Sequence, residues 1–119
     1  MQDFRNLKVW QRAHGLTLDV YRATRDFPCE ERFGLLSQTR RAAVSVPTNI
    51  AEGCGRGSDA DFRRFLFIAN SSACEPDYLL LLAADLGYIP PNATPALRSG
   101  VAEVKRMLAG LIGSLSCSG

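Results

Sequence analysis

The sequence predicts an all-α fold, an antiparallel up-down four-helix bundle, and three observations carry that expectation. Proline and glycine gather at Phe27-Pro28, at Gly53-Cys54-Gly55-Arg56-Gly57 and between Gly87 and Pro95, cutting the chain into four segments. Between the cuts apolar residues recur at three- and four-residue steps, the helical period. No run alternates apolar and polar residues between turn signals, as a half-buried strand would. Short connections make antiparallel neighbours of such segments. The 119 residues are too few for two ordinary domains, so residues 1–119 are expected to form one. Hydrophobic residues are 46% and charged residues 22%, a globular balance that excludes a disordered chain.

The first helix is expected over residues 7 to 26. Trp10, Ala13, Thr17, Val20, Tyr21 and Thr24 make its inward stripe, Val9 and Leu16 widen it, and Asn6 is the candidate cap. Phe27-Pro28 ends it, because the residue before a proline is pushed out of the helical region. The second helix, 32 to 52, has the seam Leu36, Thr39, Ala43, Val46 and Ile50, with Gly53 as its C-cap. Opposite lies a polar stripe of Gln38, Arg41, Ser45, Thr48 and Glu52, small in its middle, a face suited to another helix or subunit. Pro47 lies inside this helix and predicts a kink.

The third helix, 59 to 87, opens on a Ser58 cap with Asp59 and Asp61 in its first turn. Phe62, Phe65, Leu66, Ala69, Ala73, Leu79, Leu80, Ala83 and Leu86 supply its apolar positions, and Pro76 predicts a local bend. The fourth helix, 95 to 115, starts at Thr94-Pro95, with proline where a missing N–H costs nothing. Leu97, Val101, Val104, Leu108, Leu111 and Leu115 form its seam.

The N-terminus has no basic stretch followed by an apolar run, and the longest apolar run, Tyr78 to Ala84, is far short of a membrane span. A cytoplasmic protein with no membrane partner is therefore expected. Cys29, Cys54, Cys74 and Cys117 contain no C-x-x-C pair and read as small buried or inert thiols. A lone histidine, His14, supports neither a catalytic triad nor a metal cage, and the Glu-x-x-His repeats of a di-iron bundle are missing. No catalytic set, metal or cofactor is expected. The turn Gly53-Cys54-Gly55-Arg56-Gly57-Ser58 lacks the Lys-Ser/Thr end of a phosphate loop. It reads either as a tight turn requiring positive φ values or as an anion site at a helix N-terminus.

The net charge of +2 recruits no polyanion by itself. Residues 32–64, however, hold six arginines (Arg32, Arg40, Arg41, Arg56, Arg63, Arg64) against Glu52, Asp59 and Asp61. Guanidinium forks suit phosphates and carboxylates alike. Arg40, Arg41, Arg56, Arg63 and Arg64 are the candidate nucleic-acid surface, while pairing of Arg41 and Arg56 with Glu52 or Glu75 is the structural alternative. Arg41 shares a face with Ser45 and Glu52, so its loss is expected to strand a buried carboxylate.

Several blocks together resemble the bacterial 23S rRNA intervening-sequence four-helix bundle proteins. They are Leu7-Lys8-Val9-Trp10-Gln11, Gln38-Thr39-Arg40-Arg41-Ala42-Ala43-Val44-Ser45-Val46-Pro47 and Asn49-Ile50-Ala51-Glu52-Gly53, with Phe65-Leu66, Glu75 and Leu86-Gly87-Tyr88 further on. The fold is similar to that of the accessory variability protein of diversity-generating retroelements, a pentameric barrel that binds nucleic acid and a reverse transcriptase. The resemblance implies a non-enzymatic, ring-like homopentamer with basic surfaces, whose structural and oligomer positions are Trp10, Tyr21, Ser45, Pro47, Asn49, Glu52, Gly53 and Glu75. Ser71 and Pro76 stand where the family usually has glycine and leucine, which implies a differently bent third helix. The expected partners are a further copy of the chain, RNA or DNA, and another protein such as a reverse transcriptase. The alternative is a protein-binding scaffold with no nucleic-acid role.

Overall fold

A computed structural model describes residues 2–116, so Cys117 lies outside the described residues. Among these there are five α-helices and two short 3₁₀ turns, Phe4–Asn6 and Cys29–Glu31, and no strand. The helices are α1 (Lys8–Ala23), α2 (Leu35–Cys54), α3 (Asp59–Ser72), α4 (Cys74–Asp85) and α5 (Thr94–Ser116). α2 packs on α1, α3 and α4, and α5 packs on the same three. The arrangement is that of a four-helix bundle in which α3 and α4 together fill one corner. Ile50, Leu66, Leu80, Ile89 and Leu108 are sealed in a core to which every helix contributes. Arg12 of α1 reaches Glu103 of α5 at 3.0 Å, and Arg98 of α5 reaches Asp77 of α4 at 2.9 Å.

The helix ends differ from the expected ones in ways that have local causes. Asn6 does not cap α1. It lies in the first 3₁₀ turn, which is capped by Asp3, and the N-cap of α1 is Leu7 with no side-chain bond. Gln11 instead reaches back to the Arg5 carbonyl at 2.8 Å. α1 ends at Ala23 rather than at residue 26: the backbone leaves the helix at Thr24, with φ −97° and ψ 6°, whose buried hydroxyl bonds back to the Val20 carbonyl at 2.8 Å. The seam of α5 follows Leu97, Val101, Val104 and Leu108 but then drifts to Ile112, leaving Leu111 and Leu115 half-buried. A straight helix of 3.6 residues per turn drifts in this way from a 3.5-residue repeat.

Two prolines are accommodated in two ways. α2 runs unbroken through Pro47, which lacks the N–H that would bond the Ala43 carbonyl. The Thr17 hydroxyl of α1 shares its one proton between that oxygen, at 3.3 Å, and the Ala13 carbonyl of its own helix, at 2.8 Å. Thr17→Val keeps the shape and removes this donor, so it is expected to cost about 1–3 kcal/mol, the penalty of an unpaired buried carbonyl. Urea unfolding measures it; a midpoint equal to that of the native chain would show that the Ala43 oxygen needs no partner.

Pro76 does more than bend the third helix, which is not one helix from 59 to 87. It breaks at Ala73, and α4 begins at Cys74. A proline ring clashes with the carbonyl four residues before it, here Ser72, the last residue of α3. After the break Pro76 is the third residue of a new helix, where N–H groups have no intrahelical partner in any case. α4 then closes on Gly87, whose φ of 80° allows Tyr88 N–H to reach the Ala83 carbonyl at 2.9 Å and Gly87 N–H the Ala84 carbonyl at 3.0 Å.

Gly53 is not the C-cap of α2. It is a buried residue inside the helix, and the cap is Gly55 with an ordinary φ of −82°. The glycine turn contains no positive φ, since Gly87 alone has one among the described residues. Gly53 is there for space: a Cβ built on it would lie 2.9 Å from the Phe65 Cβ and 3.1 Å from Phe62 Cδ1. Its bare backbone lets α3 close onto α2.

Candidate nucleic-acid interface

The five candidate arginines do not form one surface. Arg40 and Arg41 sit near the start of α2 and Arg56 just past its end, so a rise of 1.5 Å per residue separates them by about 22 Å. Each then has its own surroundings.

Arg40 is engaged within the chain. Its Nε donates to Thr24 Oγ1 at 3.0 Å, Nη2 donates to the Tyr21 carbonyl at 3.1 Å, and its guanidinium carbon lies 4.5 Å from the centre of the Tyr21 ring. It therefore supplies donors and positive charge to the C-terminal end of α1. Arg41 is exposed and lines a groove of ≈ 430 Å³ with Phe33, Gln38 and Glu75. Neither Glu52 nor Glu75 forms an ion pair among the described residues. Glu52 is exposed, so no buried carboxylate awaits Arg41 within the chain.

Arg56 and Arg64 converge where the α2–α3 turn meets α3, and Arg63 sits beside them on the α5 side of α3. The guanidinium carbons of Arg56 and Arg64 lie 4.6 and 4.8 Å from the centre of the same ring, Phe65, and that of Arg63 lies 4.8 Å from the centre of Phe67. Helical spacing explains the last, since residues 63 and 67 are one turn apart. Arg63 also donates from Nε to the Ile112 carbonyl of α5 at 3.4 Å. Arg64 has one acidic neighbour, Asp61 at 3.5 Å, with both side chains half exposed. Pairs so exposed contribute little and yield to a competing phosphate.

The turn itself makes a weaker anion site than its glycines imply. Ser58 Oγ accepts from the Asp61 N–H at 3.1 Å, and Asp59 and Asp61 already place negative charge at the positive end of α3. Cys54, beside the turn, has its thiol pushed up by burial and, to a lesser degree, by Asp3, which keeps it protonated.

The positions assigned to structure or assembly divide differently. Trp10, Tyr21, Pro47 and Glu52 line an apolar groove of ≈ 540 Å³ between α1 and α2, together with Leu18 and Val44. Trp10 is packed between Phe4 and His14, each with its ring centre 4.8 Å away. On α2, Ser45 Oγ bonds the Ala42 carbonyl, Asn49 Nδ2 bonds that of Ser45, and Thr48 Oγ1 bonds that of Val44. The stripe that looks polar in sequence has thus turned much of its polarity onto its own backbone. Glu75 lies exposed across the Arg41 groove. The sequence reading missed three exposed aromatics: Phe33, 91% exposed, Tyr78, 59%, and Phe67, 47%. For Phe67 a signal existed, because it falls outside the inward stripe of Phe62, Phe65, Leu66 and Ala69.

Among the described residues no three of His, Cys, Asp and Glu gather as a metal ion requires, and no helix is long and apolar enough to cross a membrane. The family model described as 23S rRNA-intervening sequence protein matches residues 5–110. A solved structure from Bacteroides thetaiotaomicron, a protein with unknown function from the S23 ribosomal protein family, is similar with a TM-score of 0.79 and 24% identity. The match covers 87% of this chain and 97% of that one. No curated protein sequence matches.

Proposed function

The chain belongs to the 23S rRNA-intervening sequence protein family, and from that premise we propose that it is no enzyme but a self-associating helical bundle that binds nucleic acid in the cytoplasm. The observation that carries the reading is the placement of Arg56 and Arg64 on Phe65 and of Arg63 on Phe67, along α3 and the turn before it. Guanidinium groups held apart from strong carboxylate partners suit phosphate oxygens. One copy offers few phosphate-binding groups, whereas a ring that repeats the patch offers many along one strand.

Self-association is supported by the apolar groove between α1 and α2, where Leu18, Tyr21 and Val44 stay exposed, and by the small-residue stripe beside it. The number five rests on the family resemblance. An antiparallel course is supported by Arg12, early in α1, meeting Glu103 midway along α5, while Arg22 and Ala23 at the end of α1 line a groove with Ala96 and Leu97 at the start of α5. Light scattering after size exclusion is expected to give about five times the 13.0 kDa chain mass. A strict monomer at micromolar concentration would overturn the oligomer. Anisotropy of a labelled RNA or DNA tests the binding half, and no change at 50 mM salt would overturn it.

One observation favours a second reading, a protein-binding scaffold. Phe33 stands almost fully exposed at the rim of the groove that holds Arg41 and Glu75. An exposed aromatic beside charges of both signs suits a protein partner, such as a reverse transcriptase. Retained pull-down of a protein by a chain that binds no nucleic acid would favour it.

A further inference from the structure

Resting on the nucleic-acid reading, we infer that the outward face of α3 takes unpaired bases, so that its ligand is single-stranded rather than duplex. Ala60, Arg64, Phe67, Ile68 and Ser71 recur at helical steps along this face, and all are exposed. Phe67 is 47% exposed and Ile68 38%, so two large apolar side chains stand next to one another on the outward face of a helix whose other face supplies the core. Positive charge flanks this face. Arg63 lies over Phe67 itself, and the exposed Arg64 of the face lies, with Arg56, over the buried Phe65 beside it.

A guanidinium lying over an aromatic ring forms a layer to which a further flat group can be added. Nucleobases stack on phenylalanine rings and on arginine planes, and they can do so only when they are not already stacked within a duplex. A duplex presents phosphates and sugars to such a face and has no use for an open ring. The local charge points the same way. Asp59 and Asp61 lie beside the three arginines, which leaves one net positive charge at this corner of each copy, little for binding through phosphates alone. Stacking supplies the missing attraction and tolerates any base. The face from Ala60 to Ser71 is about 16 Å long, enough for about four nucleotides at 3.4 Å per stacked step.

The test uses the full chain and three labelled 15-mers at 50 mM salt: oligo-U RNA, oligo-dT DNA and a mixed-sequence DNA duplex. Either single strand is expected to bind at least 10-fold tighter than the duplex. Phe67→Ala is expected to weaken single-strand binding about 5- to 100-fold while leaving duplex binding unchanged. Phe67→Tyr, which keeps a ring, should restore it. Equal affinity for strand and duplex, with Phe67→Ala silent, would overturn this inference and leave the nucleic-acid reading intact. Absence of binding to all three would overturn both. A fall in the oligomer mass of Phe67→Ala would assign the ring to the junction between copies and overturn the inference by another route.

Discussion

Raising salt from 50 to 200 mM is expected to weaken nucleic-acid binding about 300-fold for a single strand and about 10³-fold for a duplex, if an assembly engages six phosphates at once. Each neutralised phosphate releases a condensed counterion, giving a logarithmic slope of about 0.7 per phosphate on single strands and about 0.9 on B-form DNA. The double variant Arg63→Ala/Arg64→Ala should lower the slope by that amount for every phosphate it no longer neutralises. Its fold should persist, because Arg63 gives up a 3.4 Å bond to Ile112 and Arg64 an exposed pair with Asp61, neither of them part of the core. Arg40→Ala should behave in the opposite way. It leaves the salt slope alone but removes the donors that close α1 on Tyr21 and Thr24, so the loss appears in stability. Anisotropy titrations at four salt concentrations, with circular dichroism as the control for folding, separate the two. An unchanged slope in the double variant, with the oligomer preserved, would leave Arg63 and Arg64 as a solvated surface.

Gly53→Ala is expected to destabilise the chain by about 1–3 kcal/mol, while Gly100→Ala stays within about 1 kcal/mol of the native chain. Both glycines are buried in helices, and a Cβ at either would approach a neighbour to 2.9 Å. The neighbours differ in their freedom to move. At Gly100 they are the tips of Arg12 and Leu16, which can swing aside, and the helix gains from losing a glycine. At Gly53 the obstacle is the Cβ of Phe65, fixed to the α3 backbone, with the Phe62 ring behind it. Relief there requires α3 to move off α2. Urea unfolding should show the Gly53→Ala midpoint lower by about 1 M. Equal midpoints for the two variants would mean that the α2–α3 packing is softer than its geometry.

How much of this could be read from the sequence depends on whether the deciding interaction was local. The seam of α5 could be read because Leu97, Val101, Val104 and Leu108 need only a helix with one apolar side. The Ser58 cap could be read because its partner is three residues away. The break at Ala73 could not: apolar spacing runs on through Ala69, Ala73 and Leu80, since both halves bury against α2 and α5, and the period stays silent where the backbone restarts. Gly53 was misread because a glycine near a helix end has two common uses, and only the approach of Phe65 tells them apart. The arginines were countable, but their partners were not. Arg40 finds Thr24 16 residues away and Tyr21 19 residues away, and nothing in a linear pattern distinguishes it from Arg41 beside it.

Phe65 and Phe67 also settle when the arginines lose their freedom. A long side chain that must be immobilised on binding costs about 0.5–1.5 kcal/mol of lost rotamer entropy, taken from the affinity. Arg41 stands exposed and would incur that cost in full. Arg56, Arg63 and Arg64 already lie against rings, and Phe65, 7% exposed, is itself held by the core. Their ordering is therefore met by folding, before any ligand arrives. What reaches solvent at this corner is a set of three cations already ordered by their contacts with rings, so the entropy of holding them is met once, when the chain folds.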